Sequence, residues 1–232
     1  MCYHPYMSMT SKLAAVLASL CVLVPAQIQA APPLADRNVI ILRPEKNIPA
    51  GAGVLIAPRL VLTAEHVVHA SIVQVVCKDQ IIPGVVRGGH EGVDLALLEL
   101  LSPCLGVQVS QLADADPQLA EDVYAIGCPE ARCGRVSRGI VSGYEHNRLI
   151  TDAKMWFGSS GGGLFTADGK LVGIASMIHI MSDAGADRDG NKKNEPFSQV
   201  WGIYVPPLLI RSFLMVTFMQ MEGKGDADQP TK

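Results

Sequence analysis

Features that would assign this chain of 232 residues to several large functional classes are missing from its sequence. It has no phosphate-binding glycine fingerprint and no concentrated basic patch, which argues against nucleotide and nucleic-acid binding. No internal repeat stands out, which argues against solenoids and propellers. The formal net charge of −3 selects no type of partner. The apolar segment 13–24 is shorter than the roughly 20 residues that cross a membrane as a helix.

The N-terminal segment has instead the organisation of a secretory signal peptide. Lys12 precedes the apolar segment 13–24, and small residues follow near Ala26 and Ala30. This pattern predicts a signal peptide over residues 1–30, with cleavage after Ala26 or Ala30 and a secreted or periplasmic mature chain. No stable membrane insertion is then expected. The alternative is an uncleaved anchor, which the short apolar length disfavours.

An even number of cysteines remains after this leader, which in a secreted chain suggests disulfides. The four are Cys77, Cys104, Cys128 and Cys133. They allow three pairings, of which we favour Cys128 with Cys133 and Cys77 with Cys104. The first pair closes a short loop that contains proline and is flanked by glycines, and the second joins the ends of two predicted strands. Free buried thiols are the alternative.

Short β segments separated by turn signals run through the mature chain and predict an all-β barrel or sandwich. They fall into two groups on either side of a linker over residues 110–122. Residues 206–221 predict a closing C-terminal helix, and the polar residues 223–232 predict a frayed tail.

Three segments carry residues suited to nucleophilic catalysis. The run FGSSGGGL at 157–164 sets Ser160 among glycines, a pattern that allows close approach to a substrate but also occurs in flexible linkers. His66 lies just after a predicted strand, and Asp94 lies at the start of another. Each is weak alone. The order His66, Asp94, Ser160 is that of chymotrypsin-like enzymes and not of subtilisins or α/β-hydrolases.

The segments around these residues resemble trypsin-like serine peptidases of the bacterial HtrA (Deg) kind. The matching stretches are GAGVLI at 51–56, LTAEHVV at 62–68, DLALL at 94–98, GSSGG at 158–162 and LVGI at 171–174. The resemblance implies two six-stranded antiparallel β-barrels, about 37–108 and 120–207, within a peptidase domain over 31–222. The active site would lie in the cleft between the barrels, and we expect no PDZ domain of the kind usual in that family.

The resemblance and the chemistry of the side chains agree on roles. His66 would take the proton of the Ser160 hydroxyl, and Asp94 would orient the imidazole and stabilise its charged form. The backbone amides of Gly158 and Ser160 would form the oxyanion hole. The family alignment also predicts the residues that line the pocket for the side chain before the cut. They are Lys154, Met155 and Trp156 on one wall and Ala175, Ser176, Met177 and Ile178 on the other.

Two residues depart from the family pattern. Gly163 stands where the family usually has proline, which predicts a looser chain after the nucleophile. Ser159 stands where digestive relatives have aspartate, so activation by an ion pair with a new N-terminus is not expected. For specificity, an inward Lys154 predicts acidic substrates, whereas an outward Lys154 leaves a small or apolar pocket, which we favour. The insertion 182–199 is a lid over this pocket or a solvated loop.

Other polar residues carry less weight. His69 and His90 lack further ligands and predict surface roles, and Asp183, Asp187 and Asp189 predict a solvated loop instead of a calcium site. We therefore expect no metal and no cofactor, and a protein or peptide as substrate. Three function classes remain: a serine endopeptidase, a peptide-binding or chaperone-like protein with a latent triad, and a narrowly specific processing protease. The sequence leaves the oligomeric state open.

Overall fold

Strands with one face on a core alternate between buried and exposed side chains. In β4 (Ile72–Cys77) every second side chain is buried, as a strand requires when one of its faces meets a core. The computed structural model describes residues 34–43, 48–129, 134–181 and 199–227. The predicted signal peptide 1–30 and nearly all of the insertion 182–199 lie outside the described residues.

Six antiparallel strands close the first barrel in the order β1-β2-β3-β6-β5-β4, with β4 paired back to β1. Besides β4, they are β1 (Asn38–Leu42), β2 (Pro49–Ala57), β3 (Leu60–Thr63), β5 (Gln80–His90) and β6 (Leu95–Leu100). A short 3₁₀ helix, Ala35–Arg37, precedes β1, and a second, Glu65–Val67, follows β3. A turn at 91–94 joins β5 to β6.

The second barrel repeats this plan in the order β10-β11-β12-β9-β8-β7, with β7 paired to β10. Its strands are β7 (Asp122–Gly127), β8 (Arg135–Glu145), β9 (Arg148–Thr151), β10 (Gly163–Thr166), β11 (Leu171–Met181) and β12 (Gln199–Val205). Two closed six-stranded antiparallel barrels confirm the fold class predicted from the sequence.

Three apolar clusters hold the barrels together. Two fill the barrel interiors, and the third lies where the barrels and the C-terminal helix meet. Strand β6 contributes to two of them, because Leu98 and Leu100 point into the first barrel while Leu95 and Leu97 join the shared cluster. The strand is therefore buried on both faces, which explains why its sequence is almost continuously apolar.

The C-terminal helix α1 spans Pro207–Ala227. It packs on the shared cluster through Ile210 and Phe213. The helix extends past the predicted end at residue 221, so the first residues of the predicted frayed tail are helical. Adding a residue to a formed helix is easier than starting one, and a glycine costs only about 1 kcal/mol. No helix in the described part of the chain is both long and apolar enough to cross a membrane.

A disulfide joins Cys77, the last residue of β4, to Cys104, after β6. This is one of the two pairings favoured from the sequence. It closes a loop with a sequence separation of 27 residues. The other favoured pairing, Cys128 with Cys133, stays a prediction because Cys133 lies outside the described residues.

Replacing both Cys77 and Cys104 by alanine should lower the free energy of unfolding by about 3 kcal/mol, because the unfolded chain then regains the freedom that the closed loop removes. Urea unfolding of the oxidised wild type and the double variant measures this difference. A peptide map without reduction, showing the two cysteines linked in the wild type, serves as the control. Equal unfolding midpoints would contradict a stabilising bridge.

Candidate active site

His66 is presented at the rim of the first barrel by the short helix Glu65–Val67. Strand β3 ends at Thr63, and the amide of Val68 donates to the Glu65 carbonyl at 2.9 Å to close the helical turn. Val67 is buried, with 2% of its surface exposed, and so anchors the turn. The neighbouring His66 side chain stays 48% exposed. The fold therefore leaves the imidazole accessible to a substrate.

Asp94 ends the turn at 91–94 and faces His66. One carboxylate oxygen lies 2.9 Å and the other 3.0 Å from His66 Nδ1, and the His66 amide donates to the carboxylate at 3.1 Å. Only 14% of the Asp94 side chain is exposed. Because Nδ1 donates its proton to the carboxylate, Nε2 is the ring nitrogen that remains to accept one.

The second barrel also binds this carboxylate. Ser176, on β11 and 3% exposed, donates its hydroxyl hydrogen bond to Asp94 Oδ2. The family resemblance predicts Ser176 in the pocket wall, whereas its hydroxyl points to Asp94. No local pattern signals this contact, since the two residues are 82 positions apart.

The electrostatics of the pair follow from these contacts. Burial alone raises the pKa of Asp94, but the hydrogen bonds from His66 and Ser176 outweigh it and hold the pKa below its ordinary value. The hydrogen bond to Asp94 raises the pKa of His66 above its ordinary value of 6.5, burial opposes this, and the charges of Asp94 and Glu65 add to the rise. A proton taken up by His66 is thus stabilised.

The turn that carries Ser160, residues 157–162 and called the serine turn below, packs against the same rim of the first barrel. The Ser160 carbonyl accepts from the Ala52 amide at 2.8 Å, and the Gly161 amide donates to the Ala175 carbonyl at 2.7 Å. A Cβ on Gly51 would lie 2.7 Å from both the Ser160 carbonyl oxygen and a methyl carbon of Val67. The backbone of Ser160 and the residue next to His66 therefore flank one glycine.

Gly161 needs to be glycine for two reasons. Its φ of +81° lies in the left-handed region, and a Cβ there would come within 2.1 Å of the Ala52 carbonyl oxygen and 2.2 Å of Thr63 Oγ1. The Thr63 hydroxyl already donates to that carbonyl at 2.7 Å. Any side chain at Gly161 would push the serine turn away from the strand end that precedes His66.

The turn also leaves two amides available. Gly158 has φ of +91°, and within the described part of the chain neither its amide nor that of Ser160 donates a hydrogen bond. Amides with no partner in a glycine-rich turn can stabilise a developing oxyanion. Within the same residues, no hydrogen bond joins the Ser160 hydroxyl to His66. Such contacts are often long before a substrate binds.

The predicted pocket residues separate into two groups. Lys154, Met155 and Trp156 line a cavity of about 700 Å³ together with Trp201 and Arg135. In the described part of the chain, the residues predicted for the opposite wall do not line this cavity. Ala175 and Ser176 are buried, and Met177 is 51% exposed. The lysine backbone is fixed, since the Lys154 amide donates to Ser137 Oγ at 2.8 Å.

The two departures from the family pattern are accommodated by packing. A Cβ on Gly163 would lie 2.4 Å from the ring of Phe165, which is fully buried. The ring thus occupies the space that a side chain at 163 would need, and β10 begins at this glycine. Ser159 is 7% exposed and packs on Gly127, where an added Cβ would come within 2.7 Å of its Cβ and Oγ.

Among the described residues, the remaining polar candidates form no metal site. In the part of the chain that the structure describes, no group of three histidine, cysteine or acidic side chains could hold a metal ion. His69 is exposed, and His90 Nδ1 accepts from the Val93 amide at 3.2 Å. The three aspartates of the predicted solvated loop, Asp183, Asp187 and Asp189, lie outside the described residues.

Comparison with known proteins agrees with this geometry. The chain is 35% identical over 153 residues to the magnetosome formation protease MamE of Magnetospirillum gryphiswaldense, covering 59% of this chain and 20% of that protein. It is 34% identical over 156 residues to the periplasmic serine endoprotease DegP of Salmonella typhimurium, covering 61% and 32%. The chain thus spans no more than about a third of the length of these relatives.

A solved serine endoprotease from Yersinia pestis has the same fold, with a TM-score of 0.62 at 23% identity over 79% of this chain and 63% of that one. Residues 51–174, more than half of the chain, match the trypsin-like peptidase domain, and this stretch contains His66, Asp94 and Ser160. With two closed barrels, a histidine–aspartate pair at their junction and this match, the chain belongs to the trypsin-like peptidase family.

Proposed function

We propose that the protein is a serine endopeptidase that cuts peptide bonds through an acyl-enzyme on Ser160. The observation that carries the proposal is the Asp94–His66 hydrogen bond at 2.9 Å beside a serine turn whose main chain is bonded to Ala52 of the first barrel. A protein that only bound peptides would need neither an oriented imidazole nor a turn with two available amides.

Each side chain has one role in the proposed reaction. His66 Nε2 accepts the Ser160 proton as the hydroxyl attacks the carbonyl carbon, and Asp94 stabilises the resulting imidazolium. The amides of Gly158 and Ser160 bind the oxyanion, each contributing on the order of 3 kcal/mol. The imidazolium then gives its proton to the leaving amine. Water, activated by the same His66, hydrolyses the acyl-enzyme and restores Ser160.

We further propose that the enzyme acts outside the cytoplasm, in the periplasm or as a secreted protein. The leader pattern over residues 1–30 supports export, with cleavage after Ala26 or Ala30. The Cys77–Cys104 disulfide fits an oxidising compartment. The similarity to DegP, which is named a periplasmic endoprotease, points the same way.

Two alternative functions are to be distinguished from a broadly acting endopeptidase. The similarity to MamE, named a magnetosome formation protease, favours a processing protease with few targets. The second candidate is a peptide-binding protein with a latent triad, which a serine-directed probe distinguishes from an enzyme. Labelling of the serine without cleavage of a peptide library would indicate the first, and no labelling would indicate the second.

Replacing Ser160 by alanine should abolish both labelling by a fluorophosphonate probe and cleavage of peptides, with a loss of turnover on the order of a million-fold. The mature protein, a peptide library and mass spectrometry of the labelled peptide provide the measurement. Ser142→Ala, at an exposed serine on β8, is the matched control and should retain both activities. Full activity of Ser160→Ala would rule out this nucleophile.

Activity should fall in acid with a midpoint above pH 6.5, because the pKa of His66 is raised above that value and only neutral imidazole accepts the serine proton. The initial labelling rate, measured between about pH 5 and pH 9, gives this profile. His69→Gln removes an exposed histidine three positions away and should leave the midpoint unchanged. A flat profile would show that His66 is not the base.

Peptide-library profiling should show a preference for a small or apolar residue before the cut. Met155, Trp156 and Trp201 contribute apolar surface to the cavity, and Lys154, which also lines it, is exposed and keeps its ammonium group in solvent. Lys154→Met should then change the ratio of apolar to acidic preference by less than about tenfold. Lys170→Met, away from the cavity lining, is the control. A strong acidic preference that disappears in Lys154→Met would show that the lysine selects the substrate.

A further inference from the structure

Arg148, the first residue of β9, reaches from the second barrel to the turn that carries Asp94. Its Nη1 donates to the Val93 carbonyl at 2.6 Å and its Nη2 donates to the Gly92 carbonyl at 3.1 Å. These are the two carbonyls immediately before the carboxylate residue. One guanidinium thus holds two successive peptide groups of the first barrel from a strand of the second.

The backbone at Arg148 is held in place by the turn before it and by the buried residue after it. A two-residue turn joins β8 to β9, and both of its residues, His146 and Asn147, have positive φ, at 48° and 61°. Such turns fix the register of a hairpin closely, and Arg148 here pairs with Glu145 across the two strands. The next residue, Leu149, is fully buried, so the backbone of Arg148 is anchored on both sides.

The turn that Arg148 contacts has a strained backbone at Asp94. Asp94 has a φ of +60°, in the left-handed region that costs a residue with a side chain conformational energy. The turn's own contacts support it, because the Asp94 amide donates to the His90 carbonyl at 2.7 Å. Arg148 adds two charge-assisted hydrogen bonds from outside the turn.

Arg148 has no carboxylate partner in the described part of the chain. Five other cations there form ion pairs: Arg59, Lys78, Arg87, Arg138 and Arg211. The fork geometry of the guanidinium suits two adjacent carbonyls, and its charge persists at every pH at which His66 titrates. Among the described residues, both side-chain hydrogen bonds of Arg148 go to the turn that ends at Asp94.

We propose that Arg148 is a positioning residue for the proposed proteolytic reaction: by holding the Gly92 and Val93 carbonyls it fixes the Asp94 carboxylate against His66 across the junction of the barrels. The inference rests on the proposed function. Asp94 is then located from three directions, by the His66 amide, by the Ser176 hydroxyl and by its own backbone, which Arg148 restrains.

A test of Arg148 must separate its effect on the position of Asp94 from the effect of its own charge on the pKa of His66. Asp94 and Glu65 both raise the pKa of His66, and the largest contribution is the hydrogen bond to Asp94. His90, the last residue of β5, and Glu91, in the turn itself, are both exposed. Removing a nearby cation by itself would raise the pKa of an imidazole. Displacing Asp94 would lower it, so the direction of the shift distinguishes position from charge.

The experiment compares Arg148→Ala, Arg148→Lys and the control Arg138→Ala with the wild type. Arg138 lies on β8 of the same barrel, where it pairs with Asp122 at the surface. In Arg148→Ala we expect kcat for a peptide substrate to fall about tenfold, because small displacements of catalytic groups are costly. KM should change by less than about twofold, since substrate contacts remain. Arg148→Lys should recover part of the loss, and Arg138→Ala should match the wild type.

A second readout does not depend on catalysis. The titration of the His66 imidazole, followed by NMR, should move toward 6.5 in Arg148→Ala from its raised value in the wild type. An unchanged or higher midpoint, or an Arg148→Ala variant with the kinetics of Arg138→Ala, would overturn the positioning role. If Arg148→Ala does not fold, the same comparisons on Arg148→Lys decide. A wild type that the fluorophosphonate fails to label refutes the proposed function instead, while the NMR titration still tests Arg148.

Discussion

The Asp94 carboxylate is the point on which the rest of the site depends. It accepts hydrogen bonds from the His66 ring and amide in its own barrel and from Ser176 in the other. A carboxylate with 14% of its side chain exposed would be costly to leave without such donors. The same bonds lower its pKa and raise that of His66, so the charge that stabilises a protonated imidazole is retained where it is needed.

Close backbone packing supplies the second constraint. The serine turn can lie against the first barrel only because Gly51 and Gly161 leave no side chain between them and their neighbours. At both positions an added Cβ would meet backbone carbonyl oxygens, which cannot move aside as a flexible side chain can. The glycines of this region thus serve packing between the barrels as well as flexibility. Gly163, one of the two residues that depart from the family pattern, is the first residue of β10. The Phe165 ring fills the space that a side chain at position 163 would occupy.

The barrels themselves serve as a frame for these contacts. Their shared apolar cluster joins β2, β3 and β6 of the first barrel to the second barrel and to α1. Strand β6 begins at the residue after Asp94, and its buried leucines fix where that turn can lie. Arg148 and Ser176 cross the same junction by hydrogen bonds. The elements that stabilise the fold and those that orient the proposed catalytic groups are therefore neighbours in space.

Local patterns in the sequence predict an all-β barrel or sandwich, favour the Cys77–Cys104 pair and identify His66, Asp94 and Ser160 as candidates, and the resemblance to trypsin-like peptidases implies two six-stranded barrels. The patterns are apolar β segments, turn residues and short motifs whose order along the chain is informative. The contact between Ser176 and Asp94, the hydrogen bonds from Arg148 to the preceding turn and the set of pocket residues that share a cavity emerge only when the barrels pack together. Those contacts join residues 55 to 82 positions apart, and their partners are set by how two closed barrels pack, which no local pattern encodes.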